Sequence, residues 1–267
     1  MSIEETEHDG ETRGAQTLRR GLAVLKLLAR YQPGGLRMSD IGRKAGLSKA
    51  TAVRLTRTLV EERFVTQDPN TRNYRLGPES FAVGLAAEPA YALQRLAAPV
   101  LRSLAVETGD WVFFAVRQGF DAICLSRESG EIAYPATAMK VGDHFPICVG
   151  AGGIAMLAAL ADEDIEQAIA QKADVIARDH PKVTPPVIRE LVGETREKGY
   201  CVIPGIMVRG YWGLGVPLLQ QDGRPVASMV LVTTEARLNT VRQAVLGERM
   251  RRLAHDLMVR AEHRDEA

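Results

Sequence analysis

The chain has 267 residues, 46% hydrophobic and 25% charged, the balance of an ordinary globular protein with one large domain or two modest ones. No apolar run approaches the ~18 residues that a membrane-crossing helix needs. The acidic, polar start from Met1 to Glu11 has neither the positive end nor the apolar stretch of a signal peptide, so a cytoplasmic protein with no membrane partner is expected. Cys124, Cys148 and Cys201 are odd in number and far apart, with no CxxC pair; they read as buried, reduced thiols, not as a zinc ribbon or disulfide framework.

The net charge of +1 conceals an asymmetry: −5 over residues 1–12, +10 over 13–77 and −4 over 78–267. Positive charge gathered in one segment is what nucleic-acid binding requires, although a solvated basic surface has the same composition. Residues 1–12 read as a disordered acidic tail, and 13–77 as the first domain.

Within that domain Leu18, Leu22, Leu25 and Leu28 recur at helical spacing, so residues 15–31 read as an amphipathic helix. Pro33, Gly34 and Gly35 end it. Ser39 is placed to cap a short second helix carrying Ile41 and Ala45, and Gly46 can take the left-handed conformation that stops it. Ser48 then caps a longer helix from Lys49 to about Glu62, with Ala52, Leu55 and Leu59 facing inward and Thr56 at the edge. A short helix, a glycine turn and a longer capped helix make a helix-turn-helix, whose second helix presents its N-terminal residues to the major groove. Lys49, Thr51, Arg54 and Arg57 lie off the apolar stripe. Lysine and arginine suit the guanine acceptors, and Ser or Thr suits phosphates or bases. Ser48 can serve as a phosphate contact or only as a cap. Phe64 to Gln67 and Tyr74 to Leu76 read as strands around a turn-rich tip, forming a wing from which Asn70, Arg72 and Arg75 could reach phosphates or a minor groove.

The run Leu36-Arg37-Met38-Ser39-Asp40-Ile41-Gly42-Arg43-Lys44-Ala45-Gly46-Leu47-Ser48-Lys49-Ala50-Thr51-Ala52-Val53-Arg54-Leu55, closing through Phe64-Val65 on Tyr74-Arg75-Leu76-Gly77-Pro78, resembles the winged domain of the IclR family of transcription regulators. Gln16-Thr17-Leu18 with Gly21-Leu22 and Val24-Leu25 resembles that family's first helix. Arg63 stands where the family usually has glycine, and arginine adopts a left-handed cap only at a cost.

Residues 79–107 are rich in Ala and Leu and read as helix, interrupted near Pro89 and Pro99. Residues 78–94 are taken as a linker helix, and 95–262 as the second domain. Trp111–Arg117 and Asp121–Ser126 read as a hairpin about Gly119. Residues 151–161, 163–177 and 185–198 read as helices, the last capped by Thr184. Residues 200–203, 213–219 and 225–233 read as strands, and 238–260 as a last helix. That order predicts an α+β fold with an antiparallel sheet. It resembles the effector-binding domain of the IclR family, which implies a GAF-like fold. The resemblance spans residues 15–260.

Gly150-Ala151-Gly152-Gly153-Ile154-Ala155 opens a helix and matches GxGxxA, the dinucleotide fingerprint. An NAD(P)-dependent oxidoreductase is therefore the alternative reading. The acidic stretch from Asp162 to Glu166 starts another helix where a Rossmann unit needs a strand, which argues against it. The resemblance instead implies that Gly150, Ala151 and Gly152 line an effector pocket, with helix-terminal N–H groups able to hold a carboxylate. It places Cys201, Met207, Tyr211 and Trp212 on the other wall. Family members usually carry acidic residues after the Gly-Tyr that is Gly199-Tyr200 here. Val202 to Met207 are all uncharged, so a more apolar pocket for an aromatic or longer organic acid is expected. A core role for Met207 and Trp212 remains open.

His144, His180, His255 and His263 lack ligand partners at helical spacing, and no GxSxG is present, so neither a metal, a cofactor nor an enzyme activity is expected. The expected function is a transcriptional regulator, acting as a repressor on double-stranded operator DNA under control of a small-molecule effector. Two-fold operators and the family resemblance together imply a homodimer or homotetramer.

Overall fold

The computed structural model describes residues 13–87, 92–133 and 139–265. The acidic segment 1–12 and part of the 78–94 linker lie outside the described residues, and so does the side chain of Met207. The chain divides into two compact units, residues 1–90 and 91–267.

The first unit runs α1 (Arg13–Arg30), α2 (Met38–Lys44), α3 (Lys49–Glu61), β1 (Val65–Gln67), β2 (Tyr74–Leu76) and α4 (Pro78–Ala87). Val24, Leu28, Leu36, Ile41 and Val65 form its core, with Leu25, Leu47, Leu59, Tyr74 and Leu76 packed around them. Full burial of side chains such as Leu28 and Ile41 stabilises by roughly 1.5–3 kcal/mol each. Only the C-terminal half of the apolar stripe expected on α1 reaches this core. Leu18 and Leu22 are 64% and 46% exposed, whereas Val24 and Leu28 are fully buried.

Two local expectations need correction. Ser39 does not cap α2: Arg37 occupies the N-cap position with no side-chain cap bond, and Ser39 lies inside the first turn. Thr56 is not at the edge of α3 but fully buried, its Oγ1 without a hydrogen-bond partner. Other signals are realised as read. Gly46 has φ +64° and turns the chain between α2 and α3. The Ser48 hydroxyl accepts from the Thr51 N–H at 3.2 Å, capping α3.

The second unit contains α5 (Ala92–Thr108), β3 (Trp111–Gln118), β4 (Asp121–Glu128), β5 (His144–Pro146), α6 (Gly150–Ala158), α7 (Asp162–Asp179), α8 (Pro185–Lys198), β6 (Cys201–Val208), β7 (Tyr211–Leu219), β8 (Pro225–Thr234) and α9 (Thr240–Asp265). Pro99 does not interrupt α5. It lies on the exposed side of the helix, as does residue 95, so the carbonyl it frees faces water and not the core. The six strands form one sheet in the order β5-β4-β3-β8-β7-β6, with every pairing antiparallel. Helices cover both faces. On one face α6, α7 and α8 bury Ile154, Leu157, Ile169 and Ile188 with Ala115, Cys201 and Ile203 of the sheet. On the other, α5 and α9 bury Leu101, Leu104, Met250 and Leu257 against Phe114, Leu214, Val216 and Met229. Successive strand residues point to opposite faces, so this division follows from alternation along β3, β7 and β8.

Asp110 ties α9 to the start of β3. Its carboxylate is fully buried, accepts from Thr233 Oγ1 at 2.6 Å, and is paired with Arg242 at 2.6 Å and Arg237 at 3.2 Å.

Candidate nucleic-acid interface and ligand site

Because α3 buries Ala52, Leu55 and Thr56, its remaining sides carry Lys49, Ala50, Val53, Arg54 and Arg57 to the exposed surface. Lys49 and Arg54 form no ion pair among the described residues. Arg57 is bound by Glu61, its Nε donating at 2.8 Å. Ser48 Oγ and Thr51 Oγ1 lie 2.9 Å apart, so both hydroxyls are partly used within the cap. Ala50 and Val53 are exposed beside the basic residues and were not singled out by sequence. Amphipathic spacing alone marks them, and small apolar groups there suit thymine methyls.

In the wing, Val65 pairs with Leu76 and Gln67 with Tyr74. Asp68 organises the tip: its Oδ1 accepts from the N–H groups of Asn70 and Thr71, and its Oδ2 pairs with Arg75. Arg75 is thereby engaged within the hairpin, where an outward phosphate contact was expected. Asn70 and Arg72 remain exposed at the tip, Arg72 with φ +61°.

The glycines at the start of α6 are explained by packing. Gly150 has φ +75°. A Cβ on Gly152 would lie 2.4 Å from Val230 Cγ2 and 2.6 Å from Ser228 Oγ, and one on Gly153 would lie 2.7 Å from the Ile147 carbonyl. Gly215 of β7 approaches the Ala151 carbonyl so closely that a Cβ there would lie 2.4 Å away. The fingerprint spacing thus serves close helix-on-sheet contact. α6 is followed by α7, not by a strand, and the sheet is antiparallel, so the oxidoreductase alternative is dropped.

The register defines which residues accompany this helix start. Arg127, Phe113, Val230, Gly215 and Cys201 lie in one cross-strand row on the α6 face. The next row on that face is Trp111, Val232, Gly213 and Ile203, and then come Thr234, Tyr211 and Val208. Cys201 is 1% exposed and packed under α6 and α8. Its thiol, like those of Cys124 and Cys148, is pushed up to about 12 by burial. Trp212 alternates to the opposite face and packs with the α5–α9 core, which separates it from Gly150, Ala151 and Gly152. Its expected place on the pocket wall is corrected accordingly. Tyr211 stays on the α6 face.

Beyond the start of α6 this face is incompletely covered. Trp111, Tyr211, Gly213, Val230 and Val232 are only half-buried, in contrast to Ala115 and Ser228 beneath the helix. The chain at 132–133 crosses the end of the sheet: Trp111 Nε1–H donates to the Ile132 carbonyl at 2.7 Å, and Tyr211 O–H to the Ala133 carbonyl at 2.6 Å. What results is an apolar floor bounded by the N-terminus of α6 on one side and residues 132–133 on the other. Trp111, Phe113, Arg127, Val230 and Val232 were missed in the sequence. Strand alternation groups residues within β3 or β8, but only the pairing register joins them across strands.

A helix-turn-helix with a wing on one unit, and a helix-flanked antiparallel sheet with a half-covered apolar face on the other, define a DNA-binding regulator with a ligand-binding domain. Family profiles assign both parts: the IclR helix-turn-helix domain over residues 17–69 and the bacterial transcriptional regulator IclR C-terminal domain over 90–259. The chain belongs to the IclR family of bacterial transcriptional regulators and not to a family of enzymes. It is 28% identical over 245 residues to the HTH-type transcriptional repressor AllR of Escherichia coli K12, covering 92% of this chain and 90% of that one. The transcriptional repressor IclR of the same strain is 25% identical, covering 87% of this chain and 85% of its own length. Among solved structures, an IclR homologue from Microbacterium hydrocarbonoxydans complexed with 4-hydroxybenzoate matches with a TM-score of 0.70 at 23% identity, covering 91% of this chain and 98% of that one. At that identity the likeness speaks to the fold. No helix among the described residues is long and apolar enough to cross a membrane, and no group of three or more His, Cys, Asp or Glu there is placed to hold a metal ion.

Proposed function

We propose that this protein is a cytoplasmic repressor that leaves or grips its operator according to the occupancy of the α6 face of its second unit. The observation that carries the reading is the pair Lys49 and Arg54, exposed and without ion pairs on the helix that a helix-turn-helix presents to the major groove. In this reading Lys49 and Arg54 read bases and Arg57 exchanges Glu61 for a phosphate. Ser48 and Thr51 keep capping while offering their second lone pairs, and Asn70 and Arg72 touch phosphates from the wing. Arg75 acts indirectly, by holding the wing tip through Asp68. Residues 13–77 form the DNA-binding domain, 78–94 the linker and 95–262 the effector domain. The repressor sign is supported by AllR and IclR, both named as repressors. A pseudo-palindromic operator read by a two-fold protein makes the working species a homodimer or homotetramer.

The effector is a small organic acid or aromatic acid. The half-buried apolar floor supports the second, and the Microbacterium homologue holds such a ligand. A ligand controls DNA affinity only by binding two arrangements unequally, so the same compound must alter operator affinity at saturation. Titration of the protein's own promoter against a scrambled duplex tests the whole reading. Arg54→Ala should weaken promoter binding by about 1–3 kcal/mol and leave random DNA little changed, while Arg72→Ala weakens both alike. Equal losses on both duplexes for Arg54→Ala would refute base reading by α3.

A further inference from the structure

Arg127 is a guanidinium without a counter-charge. It projects from β4 on the α6 face, in the row of Phe113 and Val230. Its Cζ stacks 4.3 Å from the centroid of the Trp111 ring. Its Nε is buried without a hydrogen-bond partner, and it forms no ion pair among the described residues. Asp143, which with Arg127 acts on the Cys124 thiol, instead turns its Oδ2 to the backbone N–H of Lys140 at 3.0 Å. Glu128, the next residue along β4, points to the other face and lies 3.7 Å from Arg102 of α5. A guanidinium removed from water with a donor unsatisfied is costly unless an acceptor is supplied. Around it are a fixed aromatic ring and the apolar floor of Phe113, Val230 and Val232.

We infer that Arg127 is the carboxylate anchor of the ligand site, and that its stack on Trp111 selects an acid with a planar, apolar body lying over Val230 and Val232. This rests on the reading of the α6 face as the effector site and adds to it the class of ligand and the residue that selects it. The Nε–H and one terminal N–H of a guanidinium offer the parallel pair of donors that a carboxylate accepts. Trp111 holds the plane in place by cation–π attraction, and its indole N–H is occupied by Ile132. Lysine, a point charge with no plane to stack, substitutes poorly at such a position. Short oxo-acids satisfy the guanidinium but leave the apolar floor uncovered.

The test is isothermal titration of the full-length protein with benzoate, 4-hydroxybenzoate, phenylacetate and 3-phenylpropionate, with the neutral amide of each, and with glyoxylate and pyruvate. At least one aromatic acid should bind at least tenfold more tightly than its amide and than either oxo-acid. Arg127→Gln should abolish that acid–amide difference, and Arg127→Lys should restore it only in part. The melting temperature of ligand-free Arg127→Gln should equal or exceed that of the wild type, because no internal partner is lost. Val230→Trp, which fills the floor, is the control on the site itself. If an acid binds, is lost in Val230→Trp, and keeps its preference over the amide in Arg127→Gln, the α6 face is the effector site and the assignment of Arg127 is overturned. If no compound binds the wild type, or binding survives Val230→Trp, the effector-site reading and the inference fall together.

Discussion

Arg63 tests whether backbone strain sits at the junction between the recognition helix and the wing. It follows the C-cap of α3 and has φ +60°, a left-handed conformation that costs a non-glycine residue roughly 1–2 kcal/mol. The position is fixed from several sides. The Arg63 N–H donates to the Val60 carbonyl at 3.0 Å, its own carbonyl accepts from the Glu79 N–H at 3.2 Å, and Gly77 lies so close that a Cβ there would be 2.3 Å from that oxygen. The chain cannot relax the angle without giving up these contacts. Arg63→Gly removes the strain but adds unfolded-state entropy of about 0.5–1 kcal/mol. The net gain is therefore about 0.5–1 kcal/mol. Arg63→Ala removes the same charge and keeps the strain, so it should leave stability near the wild-type value. Trp111 and Trp212 both lie in the second unit, so tryptophan fluorescence does not follow this region. Hydrogen exchange of the α3 amides does: protection should rise about two- to five-fold in Arg63→Gly and hold steady in Arg63→Ala. An equal rise in both variants would assign the effect to charge, and a fall in Arg63→Gly would refute the strain argument.

Other outcomes follow from single groups. Arg242→Ala strips the fully buried Asp110 of its shorter ion pair and should destabilise the second unit by about 3–5 kcal/mol, read as a fall in the tryptophan-monitored denaturation midpoint; a change below ~1 kcal/mol would show that Arg237 and Thr233 suffice. Thr56→Val removes a buried hydroxyl with no partner and should stabilise the first unit by about 1 kcal/mol or more, read by exchange of the same α3 amides; a loss would mean that the hydroxyl is satisfied in solution. Cys124, Cys148 and Cys201 titrate near 12 when folded against an ordinary value of 9.0, so none should react with a thiol reagent at pH 8 until the second unit unfolds. Because the folded state holds these protons more tightly, their contribution to stability is complete below pH 9.0 and is lost as pH rises toward about 12. Denaturation midpoints that stay flat over that range would contradict it.

The two halves of the function were not equally legible, and the difference lies in the range of the interactions that build them. The helix-turn-helix is written in local chemistry. Gly46 at positive φ, the Ser48 cap and the spacing of Ala52 and Leu55 each act within a few residues, so the presence and aspect of α3 could be read without knowing what it packs on. Even there, long-range packing decided what local rules could not. It exposed Leu18 and Leu22 on α1, and it buried Thr56 at the centre of the α3 contact. In the second unit the order of strands and helices predicted an antiparallel α+β domain, which is what forms. The ligand face was not visible, because it is a property of pairing. Arg127 meets Phe113, and Phe113 meets Val230, across strands more than 100 residues apart in the chain. Trp212 shows the reverse error. It adjoins Tyr211 in sequence and so was grouped with it, but one step along a strand is a change of face, and only the register says which face holds α6. The glycines of Gly150 to Gly153 misled for a related reason. Close backbone approach requires glycine whether the approaching group is a pyrophosphate or, as here, the side chains of Val230 and Ser228. A glycine pattern therefore identifies crowding, and the identity of the crowding group must come from the elements that surround it.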